Sequence, residues 1–138
     1  MPDLSPQAAQ QILADNFADW VRALGLTVES VSEGAAVLRM PYSESLVRVG
    51  GTLCGQALMS AADTAMVIAL SGSYGAFKPV TTVTQNITFM RPIAAQDVLV
   101  DAKVIRLGKT LAFGEITLRG AKDGKTAAHA TTTYAILG

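Results

Sequence analysis

Leu53-Cys54-Gly55-Gln56-Ala57-Leu58-Met59-Ser60-Ala61-Ala62-Asp63-Thr64-Ala65-Met66-Val67-Ile68-Ala69-Leu70 is apolar on nearly every face, and Asp63 is the only charge between Gly50 and Phe77. A helix that is apolar all round sits inside a protein. A carboxylate placed there costs several kcal/mol unless it is paired, protonated or used. Asp63 is therefore a candidate site residue. The competing reading is a buried carboxylate satisfied by neighbouring hydroxyls or backbone. The segment has the length of a membrane span, but Gly55, Gln56, Ser60 and Asp63 interrupt it and no basic anchors flank it. The reading is a core helix over residues 53–71.

Working outward from that helix, residues 5–25 carry Ile12, Leu13, Phe17, Trp20, Val21 and Leu24 at helical spacing. Ser5 can cap this segment, with Pro6 at its first position and Gly25 as its stop. Two short strands are expected over residues 27–32 and 35–40, joined by a turn at Glu33-Gly34, and a loop over 41–51 leads into the central helix. Gly72, Gly75 and Pro79 are expected to end that helix. Beyond them the chain reads as strand: residues 80–90 with Pro92 as a stop, then 98–106, 110–119 and 126–137. Gly108-Lys109 and Asp123-Gly124 are hairpin signals. The expectation is an α+β protein, an antiparallel meander following one central helix, the sheet curled around it, in a single domain spanning residues 1–138.

Composition narrows the partners. Hydrophobic residues make up 50% of the 138 and charged residues 16%. So apolar a composition suggests that some apolar surface is covered by another copy of the chain. The net charge is zero, with no basic run, which argues against a nucleic-acid partner. One cysteine excludes an internal disulfide and fits a reducing compartment, the cytoplasm. The start, Met1-Pro2-Asp3-Leu4-Ser5-Pro6, lacks the basic and apolar regions of a leader.

Several motifs lead nowhere. Gly50, Gly51 and Gly55 precede a helix at spacings that fit neither a dinucleotide loop nor a phosphate loop, and Gly108-Lys109-Thr110 and Gly124-Lys125-Thr126 do not open helices. One His and one Cys cannot build a usual zinc site, so no metal is expected. His129 lies in the last expected strand and reads as structural or surface. Cys54 sits where free backbone N–H groups and the helix dipole favour an anion, so a nucleophilic thiol is one reading. It lacks a sequence partner to activate it, and buried cysteines are commonly small hydrophobes.

Three blocks in order resemble a known family: Gly51-Thr52-Leu53-Cys54-Gly55-Gln56 with Asp63-Thr64-Ala65, then Thr81 through Pro92, then Gly108-Lys109-Thr110-Leu111-Ala112-Phe113. Together they are similar to hotdog-fold thioesterases, of the phenylacetate-degradation and 4-hydroxybenzoyl-CoA thioesterase branch, over about residues 35–137. The resemblance implies a hotdog fold and hydrolysis of an acyl-CoA thioester, with no cofactor beyond the coenzyme A of the substrate. It implies that Asp63, nine residues after Cys54, matches the catalytic carboxylate. Gly55 matches the glycine whose N–H polarises the thioester carbonyl, and Thr82 matches a hydroxyl residue that helps place water. Cys54 stands where histidine is usual, Gln56 where a second glycine is usual, and Arg48 where Asn or Gln often lies. Arg91, Gly108 and Lys109 match positions along the coenzyme A.

The chemistry is coherent. A developing oxyanion needs a donor, which a free N–H at a helix N-terminus supplies, and a desolvated Asp can serve as base or nucleophile. Gly55 and Asp63 are eight residues apart, hence about 12 Å along one helix. A shared carbonyl then requires Gly55 of one subunit and Asp63 of another, in a dimer or a dimer of dimers. Two other readings stay open. One is a non-catalytic hotdog protein binding acyl-CoA or a related acyl ligand, motivated by the absent His-Gly-Gly. The other is a hotdog dehydratase or hydratase, which needs a histidine where this chain has none.

Overall fold

The central helix forms because little else could bury its side chains. In the computed structural model, which describes residues 3–138, it runs as α3 over Gly55–Tyr74. Ala61, Ala62, Ala65, Ile68 and Ala69 have no exposed surface. Two buried hydroxyls on it are satisfied within the helix, Thr64 donating to the Ser60 carbonyl and Ser71 to that of Val67, each at 2.8 Å. Met1 and Pro2, part of the stretch read as lacking a leader, lie outside the described residues. No helix among the described residues is long and apolar enough to cross a membrane.

The bounds of α3 differ from the expected 53–71 at both ends. Leu53 is held in an isolated bridge to Val47, so the helix starts two residues later. Gly72 does not stop it: Gly75, at φ 75°, does. Gly72 serves packing instead, because a Cβ there would lie 2.2 Å from the Ser32 carbonyl oxygen and 3.1 Å from a Val31 methyl. On a free helix Gly→Ala gains about 1 kcal/mol. Here the obstacle is backbone, which cannot swing aside, so overpacking of about 1–3 kcal/mol or more outweighs that gain. Gly72→Ala is expected to lower the denaturation midpoint in urea, and an unchanged or raised midpoint would refute the close approach.

The strands are β1 (Thr27–Ser32), β2 (Ala35–Met40), β3 (Val80–Phe89), β4 (Val98–Leu107), β5 (Leu111–Gly120) and β6 (Thr126–Ile136). Each agrees with its expected bounds to within one residue at either end. They form one antiparallel sheet in the order β1-β2-β4-β5-β6-β3, and α3 packs on one face of it against strands from both halves. The expected meander is only partly right. β4, β5 and β6 follow one another, but β3 pairs with β6 at the far edge. The chain after β3 crosses under the start of α3, where Leu53 donates to the Ile93 carbonyl at 2.9 Å, before entering β4. Pro92 marks that crossover rather than a hairpin. Alternation read from single strands does not contain this information, because it fixes which residues face inward and not which strand is the neighbour.

The N-terminal helix is also corrected. Residues 5–25 form two pieces, α1 (Pro6–Asn16) and α2 (Asp19–Arg22), with extended backbone at Phe17 between them. The Ser5 cap is present, its hydroxyl accepting from the Ala8 N–H at 3.1 Å. The break has its own satisfaction: the Asn16 amide donates to the Ile12 carbonyl and the Arg22 guanidinium to that of Ala14. The break turns Trp20 outward, so it is 63% exposed although its spacing put it on the apolar stripe. Gly25, at φ 73°, ends the segment as expected.

Candidate functional site

Asp63 lies on the side of α3 that faces β3. It is half-buried, not fully buried as the apolar surroundings suggested, because β3 is the sheet edge and leaves that side of the helix partly open. Two hydroxyls meet its Oδ1. Thr82 Oγ1 donates to it at 2.8 Å, and the Tyr134 hydroxyl donates to the same atom while also lying 2.8 Å from the Asp63 main-chain oxygen. Thr82 on β3 and Tyr134 on β6 are direct cross-strand partners, which is why both reach one carboxylate oxygen. Among the described residues no hydrogen bond reaches Oδ2. The reading of a carboxylate satisfied by hydroxyls is thus true of one oxygen only. Tyr134 is 1% exposed. Burial above all, then the Asp63 charge and the hydrogen bond to it, hold its phenol well above the ordinary range, with the Thr82 contact acting the other way.

Gly55 opens α3 at the other end of the same edge. Cys54 is the N-cap and makes no side-chain cap bond; its own N–H donates to the Leu46 carbonyl at 2.8 Å. The N–H groups of the first turn, that of Gly55 included, have no intrahelical acceptor. They open beside a cleft of about 400 Å³ whose walls include Arg48, Thr52, Gly55, Leu58, Phe89 and Arg91. The Phe89 ring lies over Gly55, its Cζ 3.1 Å from where a Cβ would sit. Arg48 is held by its guanidinium on Thr52 Oγ1 at 3.2 Å, in a hairpin whose tip needs Gly50 and Gly51 at φ 105° and 83°. Gln56 is exposed and is not part of these walls.

Gly108 and Lys109 line a different cleft, of about 660 Å³, at the C-terminal end of α3 with Tyr74, Lys78 and Leu137. Lys78 lies 4.9 Å over the Tyr74 ring. Within one chain, then, the nine expected site residues are not one site. Asp63 and Thr82 form one group, Gly55, Arg48 and Arg91 a second beside Cys54, and Gly108 and Lys109 a third, strung along a helix about 30 Å long. His129 hydrogen-bonds to Glu115 at 3.1 Å on the opposite face of β6 from Tyr134. A further apolar cavity of about 600 Å³ between α1, α2 and β1 lies away from all three groups.

Tyr134, Lys78 and Phe89 were missed from the sequence. Tyr134 is separated from Asp63 by 71 residues and stands in a strand otherwise rich in Thr and Ala. Its only sequence signal was a buried aromatic with a polar tip, which requires a partner.

The comparisons agree with this architecture. The thioesterase superfamily profile matches residues 50–127. The chain is 33% identical over 115 residues to human acyl-coenzyme A thioesterase 13, covering 81% of each. The crystal structure of zebrafish thioesterase superfamily member 2 superposes with a TM-score of 0.85 at 30% identity, over 98% of this chain and all of that one. The PaaI protein of the E. coli phenylacetic acid degradation operon superposes with a TM-score of 0.84 at 25% identity, over 96% of this chain and 92% of the other. A sheet curled on a central helix is therefore shared with proteins matched by sequence as well as by shape, and the chain belongs to the thioesterase superfamily, with the hotdog fold.

Proposed function

We propose that this protein hydrolyses acyl-CoA thioesters to free acid and CoA, at a site shared between two copies of the chain. The observation that carries this reading is the position of Asp63 and Gly55 on the same open edge. Strand β3 is paired on one side only and has no fully buried residue; Val83 and Phe89 on it, with Met59 of α3 and Met90, are exposed. A ten-residue edge with apolar side chains invites another strand. Two β3 strands paired antiparallel about a two-fold axis near Gln85 would set Thr82 of one copy across from the Ile87–Phe89 end of the other. Asp63 is bonded to Thr82 and Gly55 lies under Phe89, so this pairing brings the carboxylate of one copy toward the free N–H of the other. The same pairing brings the Gly108 and Lys109 cleft of one copy toward Arg48 and Arg91 of the other.

In that site the Gly55 N–H binds the thioester oxygen and stabilises the oxyanion as it forms. Asp63 takes a proton from water as the water oxygen attacks the carbonyl carbon, or attacks that carbon itself to give an acyl anhydride that water then hydrolyses to the free acid and the carboxylate. Collapse of the tetrahedral species breaks the C–S bond and releases the CoA thiolate, which picks up a proton. No cofactor is required, since coenzyme A is part of the substrate. Cys54 shapes the start of α3 and has no neighbour among the described residues that would activate it. The lone free thiol fits the cytoplasm.

The test is steady-state thiol release from butyryl-, octanoyl- and phenylacetyl-CoA. Turnover of any of them supports the reading. Tight binding of all with no release would favour the second one, a non-catalytic acyl-CoA binder, which Cys54 and Gln56 in place of the usual His and Gly motivate. Arg91 and Lys109 are expected to hold the CoA phosphates. Arg91→Ala and Lys109→Ala should raise KM with little change in kcat, as loss of uniform binding does. The penalty should shrink as salt rises and vanish for a pantetheine thioester, which has no nucleotide phosphates. An equal KM for CoA and pantetheine substrates in the unaltered protein would show that the nucleotide is not read.

A further inference from the structure

We infer that Tyr134 is a positioning residue for the reaction: with Thr82 it clamps Oδ1 of Asp63, leaving Oδ2 as the oxygen presented to water or thioester. The inference rests on the proposed role of Asp63. Three observations carry it. Both hydroxyls converge on one oxygen of the carboxylate, and none reaches the other among the described residues. The Tyr134 side chain is 1% exposed and its strand is paired on both sides, by β3 and β5, so its hydroxyl is held by the sheet rather than by a mobile loop. It also contacts the main-chain oxygen of Asp63 at 2.8 Å, so it registers the backbone and the carboxylate of one residue together.

The direction of the interaction follows from the environment. Burial beside a carboxylate keeps the phenol protonated, so Tyr134 only donates and never competes with Asp63 for the proton of water. Thr82 donates as well. An oxygen that already accepts two hydrogen bonds is a poor proton acceptor and is fixed in direction. The second oxygen of the same planar group is then fixed too, with its lone pairs free. A carboxylate on an unclamped side chain would rotate about χ2 and present either oxygen. A catalytic base loses much of its advantage when its geometry is loose.

The experiment compares Tyr134→Phe with Asp63→Asn on octanoyl-CoA and phenylacetyl-CoA, with circular dichroism and thermal melting to check folding. The expected result is an inactive Asp63→Asn, and a Tyr134→Phe with kcat lower by about 10- to 100-fold and KM within about two-fold of the unaltered protein. A Tyr134 that merely filled the core would leave kcat unchanged in the folded variant, because phenylalanine keeps the ring. Wild-type kcat in Tyr134→Phe beside an inactive Asp63→Asn would overturn the positioning role alone. Wild-type kcat in Asp63→Asn would overturn the reading of Asp63, and the inference with it. Should Tyr134→Phe fail to fold, Thr82→Val and Thr82→Ser carry the test from an exposed strand. Loss of kcat in the first with recovery in the second supports the clamp, and wild-type kcat in Thr82→Val refutes it.

Discussion

Asp63→Asn is expected to reduce kcat by about 10²- to 10⁴-fold, the range that a positioned general base contributes, while leaving the fold intact. The amide is isosteric with the carboxylate. Its oxygen can still accept from Thr82 and Tyr134, so the half-buried position stays satisfied on the side where the protein reaches it. The other atom, to which no described residue hydrogen-bonds, becomes an N–H₂ that can neither take a proton nor attack a carbonyl. Loss of activity with an unchanged melting temperature would support the assignment. A variant that keeps most of its rate would remove Asp63 from the chemistry.

Gly55→Pro is expected to cost about 10²- to 10³-fold in kcat, the usual consequence of deleting one oxyanion donor. Proline removes the one N–H that the proposal uses. It is well tolerated at the first position of a helix, which Gly55 occupies. Cys54, at φ −71° and ψ 148°, already has the extended backbone that a following proline demands. The Phe89 ring over Gly55 is 48% exposed and can swing aside. Inactivity here therefore reports on the missing donor rather than on a broken helix.

The two variants also test whether the site is shared. If the site is shared as proposed, neither homodimer of Asp63→Asn or Gly55→Pro has a complete site. Co-expressed, half the dimers are mixed, and each mixed dimer regains one complete site from the Gly55 of one chain and the Asp63 of the other. Activity should return to about a quarter of that of the unaltered protein. A co-expressed pair as inactive as its parents would show that both groups act within one chain, against the 12 Å or so that eight residues of helix impose.

Periodicity and punctuation were enough to read the elements. The apolar run around Asp63 marked the central helix, strand-forming residues between turn signals marked six strands to within a residue, and Ser5, Gly25 and Gly34 stood where caps and turns need them. These features are local, decided by residues a few positions apart. Gly72 shows where local reading ends. Its sequence signal is a helix stop, but its role is to let α3 pass the Ser32 carbonyl. Phe17 shows the same, since nothing in its neighbours announces the break that turns Trp20 to the surface.

The candidate site divides along that line. Asp63 was legible as a candidate because a lone charge in an apolar helix is a one-dimensional signal, and Gly55 became one through the family resemblance of the block around it. Tyr134 was not, because its bond to Asp63 exists only once β3 and β6 pair and set Thr82 opposite it. The place of β3 at the edge was equally invisible: its composition is that of any strand, and only the crossover of the chain beneath α3 leaves it with a single neighbour among the described residues. Burial preference acts on each residue separately, and so the sequence by itself determined what goes inside. Which surfaces meet, and which edge stays open beside the carboxylate, depends on contacts between residues far apart in the chain, and the tertiary structure alone decided those.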